Sequence, residues 1–131
     1  MPTGSDPSSE TILLAEDHES VRQLLTKILH RQGYTVLSVD RGTEALRLWE
    51  RHEGPIHLLL TDVQMPEMGG PELVRHIRAQ RPTIPVIYMS ANPCPALLSA
   101  LESESKTALL LKPFTPEILT RTVRALLAMG D

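Results

Sequence analysis

A chain of 131 residues is long enough for one domain with a real core and leaves no room for a second. A formal net charge of −3 and an aromatic content of 3% supply neither the basic footprint nor the stacking surfaces of direct nucleic-acid binding. One cysteine, Cys94, excludes an internal disulfide, and no apolar run approaches membrane-spanning length, so a soluble, cytoplasmic chain without membrane contact is expected.

Residues Met1 to Glu10, rich in Pro, Ser and Gly, lack the apolar stretch of a signal peptide and read as a disordered leader or linker. Ile12 to Ala15 is a short apolar run bounded by Glu16-Asp17. Val21, Leu24, Leu25, Ile28 and Leu29 then recur at helical spacing, which predicts an amphipathic helix buried along that stripe and stopped at Gly33. Thr35 to Val39 is β-prone, and Thr43 to Glu53, carrying Ala45, Leu46 and Trp49, predicts a second helix with Trp49 facing the core. Leu58 to Thr61 runs into Asp62, and Leu73, Val74 and Ile77 mark a helix after the loop Met65-Pro66-Glu67-Met68-Gly69-Gly70. Val86 to Met89 runs into Ser90, and a shorter helix is expected from Pro95 to about Glu104. Leu109 to Leu111 runs into Lys112. Pro116 then opens a last helix whose expected buried stripe is Ile118, Leu119, Val123, Leu126 and Leu127. Five strands alternating with five helices predict an α/β fold with a parallel sheet covered on both faces.

Open parallel sheets bind ligands at the carboxyl ends of their strands. That edge would gather Glu16, Asp17, Asp62, Ser90 and Lys112. Taken singly, Asp62 and Ser90 read more readily as turn or helix caps, and Lys112 as a solvated lysine. Taken together they do not. Two like charges about 5 Å apart repel by roughly 3 kcal/mol at an effective dielectric near 20, so three carboxylates beside one lysine need a cation. A hard divalent ion with oxygen ligands, Mg²⁺ above all, relieves the repulsion and leaves room for phosphate oxygens.

The Glu16-Asp17 pair, Asp62 within Thr-Asp-Val-Gln-Met-Pro-Glu-Met-Gly-Gly, Ser90 within Met-Ser-Ala, and Lys112-Pro113-Phe114 together resemble the receiver domain of two-component response regulators. The likeness runs from about Thr11 to Met129, giving a receiver domain over 11–129, and it is similar to the C-terminal receivers of hybrid histidine kinases. It implies a flavodoxin-like (βα)5 doubly wound sandwich and a phosphoacceptor signalling domain rather than an enzyme acting on a separate substrate. It also implies that Asp62 takes a phosphoryl group from a histidine kinase or histidine phosphotransfer domain, with an output domain or partner protein downstream. Glu16, Asp17, Asp62 and the backbone carbonyl of Gln64 correspond to the Mg²⁺ site. Ser90 and Lys112 correspond to the groups that contact the phosphoryl oxygens. The Lys112-Pro113 bond corresponds to one that is cis in the family.

Leu109 stands where many receivers carry a switching Tyr or Phe, so the aromatic switch is missing at that position. A phosphohydrolase of the haloacid dehalogenase type is the competing reading, but its nucleophile belongs in an Asp-x-Asp after the first strand, where this chain has Glu16-Asp17-His18. No G-x-x-x-x-G-K-[ST] loop for nucleotide is present. The five histidines show no metal-ligand spacing and read as surface or packing residues, His18 being the one set beside the acidic pair.

Overall fold

The computed structural model describes residues 10–102 and 104–129; the expected leader lies outside them apart from Glu10, whose carbonyl accepts a hydrogen bond from the Thr35 N–H at 3.0 Å. The elements alternate throughout: β1 (Thr11–Ala15), α1 (Glu19–Arg31), β2 (Thr35–Val39), α2 (Gly42–Arg51), β3 (Leu58–Asp62), α3 (Gly70–Gln80), β4 (Val86–Ser90), α4 (Pro95–Glu102), β5 (Thr107–Leu111) and α5 (Pro116–Met129). All strand pairs are parallel, in the order β2-β1-β3-β4-β5, so β3 is central and the order reverses beside β1.

Successive residues on a strand face opposite sides, and each side of this sheet is apolar. Ile12, Leu14, Leu58, Leu60, Ile87 and Met89 pack with Leu25 and Leu29 of α1 and Leu119, Val123 and Leu126 of α5. Leu13, Ala15, Leu59, Val86 and Tyr88 pack with Ala45 of α2 and Leu73, Val74 and Ile77 of α3. Both faces being covered explains why β1, β3 and β4 read as continuous apolar runs rather than alternating ones.

Helix boundaries follow local chemistry. Gly33, at φ 96°, adopts the left-handed conformation that ends α1. Thr115 caps α5 by accepting the Ile118 N–H on its hydroxyl at 3.1 Å, with Pro116 at the first helical position. α2 stops at Arg51 and α4 at Glu102, two residues short of each expected end.

Three sequence expectations about packing need correcting. Leu24 and Ile118 lie at the margins of their apolar stripes and are 57% and 42% exposed, while Leu25, Leu29, Leu119 and Val123 enter the core. Trp49 is only half-buried: its ring packs against the α2–α3 core while Nε1–H donates to Gln80 Oε1 at 3.1 Å.

Candidate functional site

Because the strands are parallel and in register, their last residues come to one edge. Asp62 pairs with Met89, and Ser90 with Leu111, in the sheet ladders. Lys112 N–H donates to the Ser90 carbonyl at 2.9 Å, and Glu16 N–H to Val39 O at 3.1 Å, extending the ladders by one residue. The Lys112-Pro113 bond is cis. Above this edge opens a cleft of about 410 Å³ whose wall includes Asp17, His18, Asp62, Gln64, Ser90 and Lys112. Glu16 lies beneath it, completely buried. Every residue singled out from the sequence therefore lies in or directly under one cleft.

Lys112 Nζ is the hub. It lies 2.9 Å from Glu16 Oε1 and 2.6 Å from Asp62 Oδ1. The other Glu16 oxygen accepts the His18 backbone N–H at 3.0 Å. Asp62, 4% exposed, has no such completion: its Oδ2 is buried without a hydrogen-bond partner. A buried carboxylate oxygen left unpaired costs free energy unless a proton or a cation arrives. Burial, reinforced by the neighbouring Glu16 carboxylate and only partly offset by Lys112, pushes the Asp62 carboxyl up to about 8. Burial also raises Glu16, but the adjoining Asp62 carboxyl, the His18 N–H and the Lys112 ammonium outweigh it and hold that group below the ordinary range. Burial works against the Lys112 ammonium, yet its two carboxylate partners raise it.

The orphaned oxygen and the donor set fit a hard divalent cation. Asp17 and Asp62 bring carboxylates to the cleft, Gln64 lines it beside them, and Glu16 lies behind. The loop that carries Gln64 is held from the side: Thr43 Oγ1 donates to Glu67 Oε1 at 3.0 Å, Arg41 stands 3.9 Å from Glu67 Oε2, and Glu67 itself takes φ 71°. Asn92, which the sequence reading did not single out, also lines the cleft and donates its N–H to Ser90 Oγ at 3.2 Å. That leaves the Ser90 hydroxyl proton available to an incoming anion. Its signal was the turn Ser90-Ala91-Asn92-Pro93, which fixes a side chain near the strand end without announcing its purpose.

The Asp62 carboxyl sets a pH dependence in the metal-free protein. Its folded value lies above the unfolded value of about 3.9, so the native state holds the extra proton between these limits and stability falls as pH rises from about 4 to 8. Asp62→Asn removes that loss. In chelator the variant is expected to be more stable than the wild type at pH 8, with the gap narrowing steadily as pH falls toward 4. Mg²⁺ at about 10 mM, for a dissociation constant of order 1 mM, returns roughly 1.4 kcal/mol to the wild type alone. Thermal melts across that pH range, with and without the ion, measure both; a gap that does not change with pH would contradict the strained carboxyl.

Residues 12–124 match the family model of the response regulator receiver domain. Sensor kinase CckA of Brucella abortus (strain 2308) is 37% identical over 123 residues, which are 94% of this chain and 13% of that kinase. Response regulator receiver protein CpdR of the same organism is 36% identical over 117 residues, 88% of this chain and 95% of that protein. The solved structure of chemotaxis protein CheY4 from Vibrio cholerae superposes with a TM-score of 0.82 at 28% identity, covering 90% of this chain and 98% of that one. Nothing among these similarities favours a haloacid dehalogenase. With the doubly wound sheet and the acidic cleft at its carboxyl edge, they establish that the chain belongs to the response regulator receiver domain family of two-component systems.

Proposed function

We propose that Asp62 is the phosphoacceptor and that this domain, over residues 11–129, takes its phosphoryl group from a phosphohistidine on a histidine kinase or phosphotransfer domain. In that step the P–N bond to the histidine breaks as an Asp62 oxygen bonds to phosphorus, and the donor imidazole recovers its proton. The supporting observation is that Asp62, buried at the end of the central strand, has one oxygen held by Lys112 and the other without a partner. Lys112 and the Ser90 hydroxyl then face the new phosphoryl oxygens. Phosphoryl transfer depends on positioning and charge neutralisation, and this chain brings both to one cleft. Mg²⁺, held by Asp17, Asp62 and the Gln64 carbonyl with Glu16 behind, supplies charge neutralisation when bound. The same groups would promote the domain's own phosphorylation and hydrolysis.

Sensor kinase CckA of Brucella abortus carries this length as a small part of its chain, whereas CpdR is scarcely longer than the match. We favour the first setting: a receiver within a cytoplasmic hybrid histidine kinase, signalling by conformational change to an output domain or partner protein. The test of the site is direct. Incubation with acetyl phosphate and Mg²⁺ should add one phosphoryl mass, labile to hydroxylamine and mapped to Asp62. Asp62→Asn should lose it, and labelling of that variant at the same site and to the same extent would overturn the assignment.

A further inference from the structure

The imidazole of His18 stands over the acidic pair. Its Nδ1 lies 3.5 Å from Glu16 Oε2 and 3.6 Å from Asp17 Oδ1, and one donor atom from each of the three residues falls within 4.8 Å of the others. Two ligands each about 2.1 Å from one ion are about 3.0 Å apart at a right angle and about 3.4 Å apart at the tetrahedral angle. The imidazole and the carboxylates thus stand a few tenths of an ångström from sharing an ion. A second observation lifts this above an acidic surface cluster: Asp62, nine-tenths buried with Oδ2 unpartnered, lines the same cleft as Asp17 and His18.

The Glu16 oxygens are already engaged, one by Lys112 and one by the His18 N–H. Beside the Gln64 carbonyl of the proposed site, the donor residues left at the cleft are Asp17, Asp62 and His18. That ring is 73% exposed and makes no capping bond to α1, so little is lost when it turns toward an ion.

We propose that His18 Nδ1 is a ligand of the cleft's metal site and makes that site selective for borderline divalent ions such as Ni²⁺ over Mg²⁺. This rests on the metal site assigned above. The chemistry lies in the fourth donor. Mg²⁺ binds oxygen and keeps its waters, so replacing one water by an imidazole gains it little, whereas imidazole suits Ni²⁺ and Zn²⁺. A site of carboxylates and one carbonyl separates these ions less than a site with a nitrogen in it.

Calorimetric titration with Mg²⁺ alone, with Ni²⁺ alone, and with Ni²⁺ in competing Mg²⁺ distinguishes this site from the protein's other histidines. His18→Ala should weaken the Mg²⁺-displaceable Ni²⁺ binding about tenfold or more while leaving the Mg²⁺ dissociation constant within about twofold. Asp17→Asn should weaken both. Unchanged Ni²⁺ affinity in His18→Ala, or equal loss of both ions, would overturn the ligand role even if Asp17→Asn confirmed the site. Undiminished Mg²⁺ binding in Asp17→Asn would overturn the site and the ligand role together.

Discussion

Gly70→Ala is expected to be strongly destabilising for so small a change. A Cβ at Gly70 would sit 2.3 Å from the Asp62 carbonyl oxygen, 3.2 Å from its carbonyl carbon and 3.2 Å from Val63 Cα. No side chain can step aside, because all three atoms are backbone at the end of the central strand. Relief requires α3 to lift away from β3 or Asp62 to shift. Overpacking of this kind costs about 3 kcal/mol, which for a domain of this size lowers the melting temperature by roughly 10 °C. Gly54→Ala is the control. It sits at φ +101° with only His52 Nε2 nearby, at 3.9 Å, so it pays for backbone strain alone, about 1 kcal/mol. The phosphorylation rate of Gly70→Ala should fall even at temperatures where it stays folded, since the obstructed carbonyl belongs to Asp62, the proposed acceptor. Equal melting temperatures for the two variants would show that α3 yields freely.

Lys112→Ala is expected to combine a loss of stability with a gain in metal affinity. Removing the ammonium leaves the completely buried Glu16 and the nearly buried Asp62 without their shared cation. Breaking a buried pair from one side costs about 3–5 kcal/mol; since the lysine is a quarter exposed and Asp62 can take up a proton, about 2 kcal/mol is the reasonable figure here. Mg²⁺ would then meet no competing charge and should bind several-fold tighter, restoring part of the stability. If Lys112 pairs with the phosphoryl group as proposed, the response to phosphorylation should nevertheless disappear. Denaturant melts in chelator and in Mg²⁺, with a calorimetric Mg²⁺ titration, read all three effects. Wild-type stability in chelator together with wild-type Mg²⁺ affinity would mean that Lys112 is not part of the charge balance.

The strands and the cleft were legible in the sequence for one physical reason. A parallel sheet buried on both faces needs unbroken apolar runs, and polar residues at their ends have nowhere to go but the common edge. Glu16, Asp17, Asp62, Ser90 and Lys112 are those ends. What the pattern could not carry was the distance between neighbouring elements. Leu24 and Ile118 fit the helical period as well as Leu25 and Leu119 do, yet only the latter reach the core and the former stay largely exposed. Gly70 reads as loop punctuation, and only the contact with Asp62 O shows that no larger residue fits there. Leu109 was noticed for its lack of a ring; the structure pairs it with Tyr88 on β4, a buried aromatic facing the α2–α3 side whose hydroxyl burial pushes up to about 12.

The guanidinium of Arg78, near the end of α3, reaches the carbonyls of Ile84, Ser105 and Lys106 at 2.9, 3.2 and 3.3 Å and the carboxylate of Glu104 at 3.1 Å. Arginine's planar fork suits such a task, because several acceptors can be held at once in one orientation. It therefore ties the segment that follows α4 to the far end of the sheet. The opposite end of α4 begins in the Pro93-Cys94-Pro95 loop, directly after Ser90 and Asn92. α4 thus joins the Ser90 loop at its head, while the segment beyond its tail is held by Arg78. Were Asp62 phosphorylated as proposed, a displacement at Ser90 would reach the first turn of α4 before the segment that Arg78 holds.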